Sequence, residues 1–159
     1  MMDRLLFILT LLTALGCGLI AGVFFAFSTF VMSALGRLLP PQGIAAMQSI
    51  NVTVINPWFL TAFVGTALAC VVLAIWSVMA WHQPGAAYLL AGSVLYVAGC
   101  FLVTIVFNVP LNDALAAVEP ASAEGASLWT RYLLTWTIWN HVRTVASLAA
   151  AAMFVLALR

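Results

Sequence analysis

Four long apolar stretches constrain the fold of this chain more than any other feature. They cover about residues 5–36, 57–81, 86–107 and 132–158. A helix needs ~20 consecutive apolar residues to cross the hydrocarbon core of a bilayer, and its backbone polar groups must be satisfied within the segment. The sequence therefore predicts an all-α fold, an integral membrane four-helix bundle, with residues 1–159 forming a single four-span domain.

The composition excludes an ordinary soluble domain. Only 6% of the 159 residues are charged and 66% are hydrophobic, with a mean hydropathy of +1.19, whereas about 25% of the residues in a soluble domain are charged. The formal net charge of +1 gives no reason to expect a nucleic-acid partner. We expect the lipid bilayer as a partner and the bacterial inner membrane as the location; homo-oligomerisation is left open.

The connections between the predicted spans are unequal. Spans two and three are joined by the tight turn 82–85, whereas about twenty residues form each of the other two connections, 37–56 and 108–128. With four spans, both long connections fall on the side of the membrane opposite the termini. Each has apolar residues at near-helical spacing, so both are predicted to contain short amphipathic cap helices.

The fourth span carries polar side chains where lipid tails are expected. Trp136, Trp139, Asn140, His141 and Arg143 follow one another within eight residues. A charged side chain at this depth is costly and usually faces a bundle interior or an aqueous cavity. At ~100° per residue, one face carries Trp136, Asn140, Arg143 and Ser147, and an adjoining face carries Thr137, His141 and Thr144.

The neighbouring connections supply further polar residues. Asn56 precedes Pro57 at the start of span two, and Asn108, Asn112 and Asp113 surround Pro110 at the end of span three. The topology predicts that they converge with the polar end of span four. We expect Arg143 to face the interior and to contact Asp113, Asn108 or Asn112, with His141 bordering the same pocket.

Purely structural roles are the alternative for each of these residues. Arg143 could extend to the interface or pair with Asp113 to hold the bundle together. His141 could make an interhelical hydrogen bond, and the tryptophans could form an interfacial belt. His82 and His141 lie on opposite membrane faces, so no shared metal or haem site is predicted; ligation by His141 with Asp113 stays open.

Four stretches of the chain also resemble a known family. Residues 21–28, 48–57, 107–112 and 136–143, with the patterns N-x-P-x-N and W-x-x-W-N-H-x-R, are similar to the anthrone-oxygenase-like family of small membrane proteins. The resemblance runs from about residue 12 to residue 156. It implies oxidation of an anthrone-type substrate without metal, flavin or other cofactor.

The resemblance implies a role for each polar residue. His141 would act as general base and Arg143 would stabilise the developing oxyanion. Predicted substrate-binding residues are Asn56, Asn108, Asn112, Asp113, Trp136, Trp139 and Asn140. The predicted function is thus a cofactor-independent oxygenase acting on a small lipophilic aromatic. The alternative is a non-catalytic membrane protein that binds or passes a small hydrophobic molecule such as a quinone, or a subunit of a membrane assembly.

Overall fold

The computed structural model describes residues 4–159, which form five helices. These are α1 (Arg4–Leu35), α2 (Pro40–Thr53), α3 (Pro57–Met79), α4 (Ala86–Ala116) and α5 (Ala123–Ala157). All except α2 are long and apolar enough to cross a membrane. The predicted fold class, a helical membrane bundle, is confirmed.

Two close approaches fix the ends of the bundle. In the tight turn before α4, Gly85 has φ of 86°, and a Cβ there would lie 3.1 Å from the Ala157 carbonyl oxygen at the end of α5. At the other end, a Cβ on Gly43 of α2 would lie 2.8 Å from the ring of Trp129, near the start of α5. The short turn and the end of α5 therefore share one end of the bundle, and α2 caps the other.

The segment predicted as a second cap helix is continuous with α4. Residues Val109–Ala116 follow directly from a π-helical stretch, Thr104–Asn108. Pro110 lacks an N–H, and in a regular helix its ring collides with the carbonyl four residues earlier. The wider π-helical turn precedes this proline, so the helix passes through it and ends at Ala116, beyond the predicted residue 107.

Helix α5 is also longer than the predicted span 132–158, because it begins at a good capping residue. The Ser122 Oγ accepts a hydrogen bond from the Gly125 backbone N–H at 2.9 Å, which satisfies one of the free donors of the first turn. Helix α5 thus extends beyond the predicted span into the cap, where it contacts α2.

Two hydrophobic clusters hold the bundle together. The larger lies in its middle and includes Ile20, Leu73, Tyr96 and Phe154. The smaller lies under α2 and contains Met32, Leu35, Ile44, Met47, Leu115, Trp129, Tyr132 and Trp136. The polar side chains described next lie where these two clusters meet.

Candidate functional site

Arg143 occupies the centre of the polar region. Its side chain is on the inward face of α5 and is only 3% exposed. The Nη2 atom donates to the Asn140 Oδ1 at 2.6 Å, and Nη1 donates to the Thr104 Oγ1 at 3.3 Å. The guanidinium carbon also lies 4.1 Å from the ring centroid of Phe24 and 4.9 Å from that of Trp136. The expected inward orientation of Arg143 is therefore what the structure has.

The partners of Arg143 differ from those expected. Both hydrogen-bond acceptors are neutral, and none of its bonds within residues 4–159 is made to Asp113, Asn108 or Asn112. Asp113 is exposed because it lies on the outward face of α4. The Nε atom of Arg143 has no hydrogen-bond partner in the same range. A buried positive charge is thus held by neutral groups and aromatic faces alone.

Asn140 holds the arginine in place. Its Nδ2 donates to the Phe24 carbonyl oxygen and to the Ser28 Oγ, both at 2.7 Å, while its Oδ1 accepts from Arg143. Ser28 in turn lies 3.1 Å from the Thr144 hydroxyl. Because the amide hydrogens and the amide oxygen of Asn140 are all engaged, this side chain links α1 to α5 and orients the guanidinium.

The two asparagines around Pro110 connect α4 to α5. The Asn108 Nδ2 donates to the Trp136 carbonyl oxygen at 3.2 Å. The Asn112 Oδ1 accepts from the Tyr132 hydroxyl at 2.8 Å and from the Trp136 Nε1 at 2.9 Å. The structure brings Asn112 and Trp136 to the site, with Tyr132 as a partner that sequence reasoning missed.

Asn56 has a clear structural task. Its Oδ1 accepts from the Phe59 backbone N–H at 3.0 Å, and its Nδ2 donates to the Thr53 carbonyl oxygen at 3.0 Å. It therefore caps the N-terminus of α3, the usual use of asparagine before a proline at the first helical position.

A cavity of about 290 Å³ opens beside Arg143. Residues from all five helices and from the connection after α2 line it. Most are apolar or aromatic, and four are polar: Asn51, Thr104, Asn112 and Arg143. The remaining lining residues are Val23, Phe24, Phe27, Met47, Ile50, Val54, Ile55, Phe59, Leu60, Phe63, Val109 and Trp136.

Six of the nine predicted site residues do not line this cavity. Asn56, Asn108 and Asn140 make the contacts given above, and the other three lie elsewhere. His141 is exposed and lines an outer groove of about 440 Å³ between α1 and α5, together with Arg37 and Ser28. Trp139 stacks on Phe107 with ring centroids 3.6 Å apart. Asp113 lines a groove between α2 and α4 that adjoins the cavity. The structure therefore does not bring His141 and Arg143 to one pocket, as had been expected.

Thr104 and Asn51 are the site residues that sequence reasoning missed. Thr104 could have been found from its spacing, since it lies four residues before Asn108 and eight before Asn112 on one helix. It is the first residue of Thr104–Asn108, the second of two π-helical segments in α4 after Val97–Leu102, and such segments occur frequently at functional sites. Asn51 gave no comparable signal apart from the family resemblance.

Comparison with known proteins gives one match. A family model described as anthrone oxygenase matches residues 58–153, from the start of α3 to near the end of α5. No curated protein and no solved structure matches the chain at a significant level. The matched region includes Thr104, Asn112, Trp136, Asn140 and Arg143, and it covers more than half of the 159 residues. The chain therefore belongs to the anthrone oxygenase family.

Proposed function

We propose that this protein is a cofactor-independent membrane oxygenase that binds a lipophilic aromatic of the anthrone type in the cavity beside Arg143. One observation carries the proposal. Arg143 is a nearly fully buried cation whose hydrogen-bond partners within residues 4–159 are neutral, and it borders a cavity walled by aromatic rings. A planar aromatic with an ionisable oxygen complements both features.

The charge of the site favours an anion. Removing a guanidinium from water costs several kcal/mol unless an opposite charge or good hydrogen bonds compensate. Asn140 and Thr104 supply two acceptors, and the rings of Phe24 and Trp136 add cation–π attraction. A phenolate or enolate oxygen would supply the missing negative charge. The cavity would thus bind the ionised form of its ligand more tightly than the neutral form.

The walls favour a flat ring system. Phe24, Phe27, Phe63 and Trp136 line the cavity, and offset or edge-to-face contacts between aromatic rings add to the gain from burial. The volume of about 290 Å³ lies at the lower end of small-molecule sites, which run from roughly 300 to 1,000 Å³. A compact polycyclic aromatic suits this space.

The chemistry balances without an external reductant. Loss of a proton from the ring CH₂ of an anthrone gives an enolate, whose oxygen would lie against Arg143. The electron-rich carbon then forms a C–O bond with O₂, and loss of water from the resulting hydroperoxide leaves a new carbonyl. Overall, anthrone and O₂ give anthraquinone and water, with the substrate supplying all four electrons. The protein contributes binding and stabilisation of the oxyanion.

We assign the loss of the substrate proton to the effect of the positive charge of Arg143. A nearby cation lowers the pKa of a substrate that ionises to an anion, so the proton can leave to water. The base role predicted for His141 stays a prediction. It requires the substrate to react in the outer groove rather than in the cavity, since His141 is exposed there.

The test is oxygen uptake by the purified protein in nanodiscs with anthrone as substrate. We expect one O₂ consumed per anthraquinone formed, above the rate of spontaneous oxidation and unchanged by EDTA. Arg131→Met is the control for a substitution of Arg143, because Arg131 is an exposed arginine on the same helix. Binding of anthrone without oxygen uptake would favour the non-catalytic alternative, and loss of activity in EDTA would contradict cofactor independence.

A further inference from the structure

The cavity has a mouth on the capped end of the bundle. A groove of about 650 Å³ runs between α2 and α4 and is lined by Gln48, Asn51, Val52, Ile55, Val109, Asn112, Asp113 and Ala116. Four of these residues also line the inner cavity: Asn51, Ile55, Val109 and Asn112. Because the two spaces share this set, the groove adjoins the inner cavity and offers a ligand the route between α2 and α4 towards Arg143.

Asn51 presents an unused donor at this mouth. Its Nδ2 atom is buried and has no hydrogen-bond partner in the described part of the chain, residues 4–159. The neighbouring Asn112 differs, since its Oδ1 already accepts from Tyr132 and Trp136. A buried donor without an acceptor is unfavourable, so the position of Asn51 is suited to a ligand that brings an acceptor.

A second unused donor lies at the other end of the cavity. The Nε of Arg143 is buried and has no partner among the residues that the structure describes. Thr104 bonds Arg143, and Asn112 lines the mouth beside Asn51. These two α4 residues are about two helical turns apart. The two donors therefore lie at different ends of the cavity, one at the mouth and one at the inner end.

We propose that Asn51 determines specificity by donating a hydrogen bond to a second oxygen on the aromatic ligand, at the end opposite the ionised oxygen held by Arg143. This inference rests on the proposed binding site and adds one requirement for its ligand: a second acceptor oxygen remote from the ionised one. Aromatics with one terminal oxygen leave the amide of Asn51 unpaired and bind more weakly.

The test compares two probes that share one ring system, 2-hydroxyanthraquinone and 2,6-dihydroxyanthraquinone. Their binding to the protein in nanodiscs is followed by the absorbance change of the bound phenolate. We expect wild type to prefer the dihydroxy probe by about tenfold, the value of one additional hydrogen bond. Asn51→Leu removes this preference and leaves the Kd of the monohydroxy probe within about twofold.

Two further variants make the result decisive. Ser49→Leu places the same leucine at an exposed position of α2 and keeps the preference. Asn51→Ala also removes the donor and the preference with a smaller side chain, which covers a failure of Asn51→Leu to fold. Equal weakening of both probes by Asn51→Leu, or no preference in wild type, overturns the assignment.

The outcome also separates this inference from the proposed function. If neither probe binds wild type, the proposed function and the assignment of Asn51 are both wrong. If the preference depends on Asn51 but anthrone causes no oxygen uptake, the catalytic proposal falls and the Asn51 assignment stands. If anthrone is oxidised and the probes bind without any effect of Asn51→Leu, only the assignment of Asn51 fails.

Discussion

Arg143 and His141 are two residues apart on α5, yet they lie in different environments. Arg143 is buried among α1, α4 and α5, whereas His141 is exposed in the outer groove. At ~100° per residue, a separation of two positions turns a side chain to nearly the opposite face of a helix. Two residues that are close in sequence therefore need not line the same pocket. Whether they do depends on the helix face that each side chain occupies.

The two faces also differ in what supports them. On the inner face, Trp136, Asn140, Arg143 and Ser147 are all buried, and each forms a hydrogen bond. On the adjoining face, Thr137 is half-buried and His141 is exposed, whereas Thr144 is buried and hydrogen-bonded. Precise orientation of a reacting group requires such support, which is why the inner face is the better candidate for chemistry.

The largest expected effect is that of Arg143→Met. Removing one partner of a buried charge pair costs 2 to 5 kcal/mol or more, so the affinity for 2-hydroxyanthraquinone should fall by roughly 100-fold. The fold should survive, because Arg143→Met also removes the desolvation cost of a buried guanidinium whose hydrogen-bond acceptors are neutral. We expect Tm within about 5 °C of wild type, measured by thermal scanning.

Arg131→Met is the matched control and should leave both the Kd and Tm unchanged. Arg143→Lys should recover part of the affinity, because it restores the charge without the planar guanidinium. If Arg143→Met binds the probe as wild type does, the inner cavity is not the site.

A smaller effect is expected for Asn140→Asp. The new carboxylate would lie within hydrogen-bond distance of the Arg143 Nη2, where the amide oxygen is 2.6 Å away. It would neutralise the guanidinium and lower the affinity for the phenolate probe by roughly tenfold. Loss of the donor to the Phe24 carbonyl should destabilise the fold by about 1 to 3 kcal/mol.

Asn108→Asp is the control for this substitution. It adds the same charge near the site, but Asn108 bonds the Trp136 carbonyl rather than Arg143. We expect a weaker loss of affinity. An Asn140→Asp protein that keeps full affinity for the phenolate would show that the charge of Arg143 does not bind the ligand.

The fold could be predicted because its signals are local. Apolar runs predict the spanning helices, and the period of α5 correctly places Trp136, Asn140 and Arg143 on one inward face. The second acceptor of Arg143, Thr104, could not be predicted in this way. It lies on another helix and begins a π-helical segment, and such a segment changes the direction in which side chains face.

The choice of Asp113 shows a second limit of sequence reasoning. A carboxylate near a buried arginine is the obvious partner when only charge and proximity are considered. Helix α4 continues through Pro110, and this places Asp113 outward while Asn108 and Asn112 contact α5. The amides, rather than the acid, connect the helices.

The two tryptophans of α5 extend the comparison of inner and outer faces. Trp136 lines the cavity and Trp139 stacks on Phe107. Trp136→Leu should weaken the binding of 2-hydroxyanthraquinone by about tenfold, the value of one aromatic contact. Trp139→Leu should change the Kd by about twofold at most. A larger effect at Trp139 than at Trp136 would show that the ligand binds on the outside of the bundle.

The smallest effect is expected for His141→Ala. His141 is exposed outside the cavity, so probe affinity should change by no more than about twofold and oxygen uptake by about threefold. We expect the pH–rate profiles of wild type and His141→Ala to coincide. His82→Ala, in the turn at the opposite end of the bundle, is the control and should change neither probe affinity nor oxygen uptake. Normal binding with a rate that collapses only in His141→Ala would make His141 the base, and the outer groove would then be where the substrate reacts.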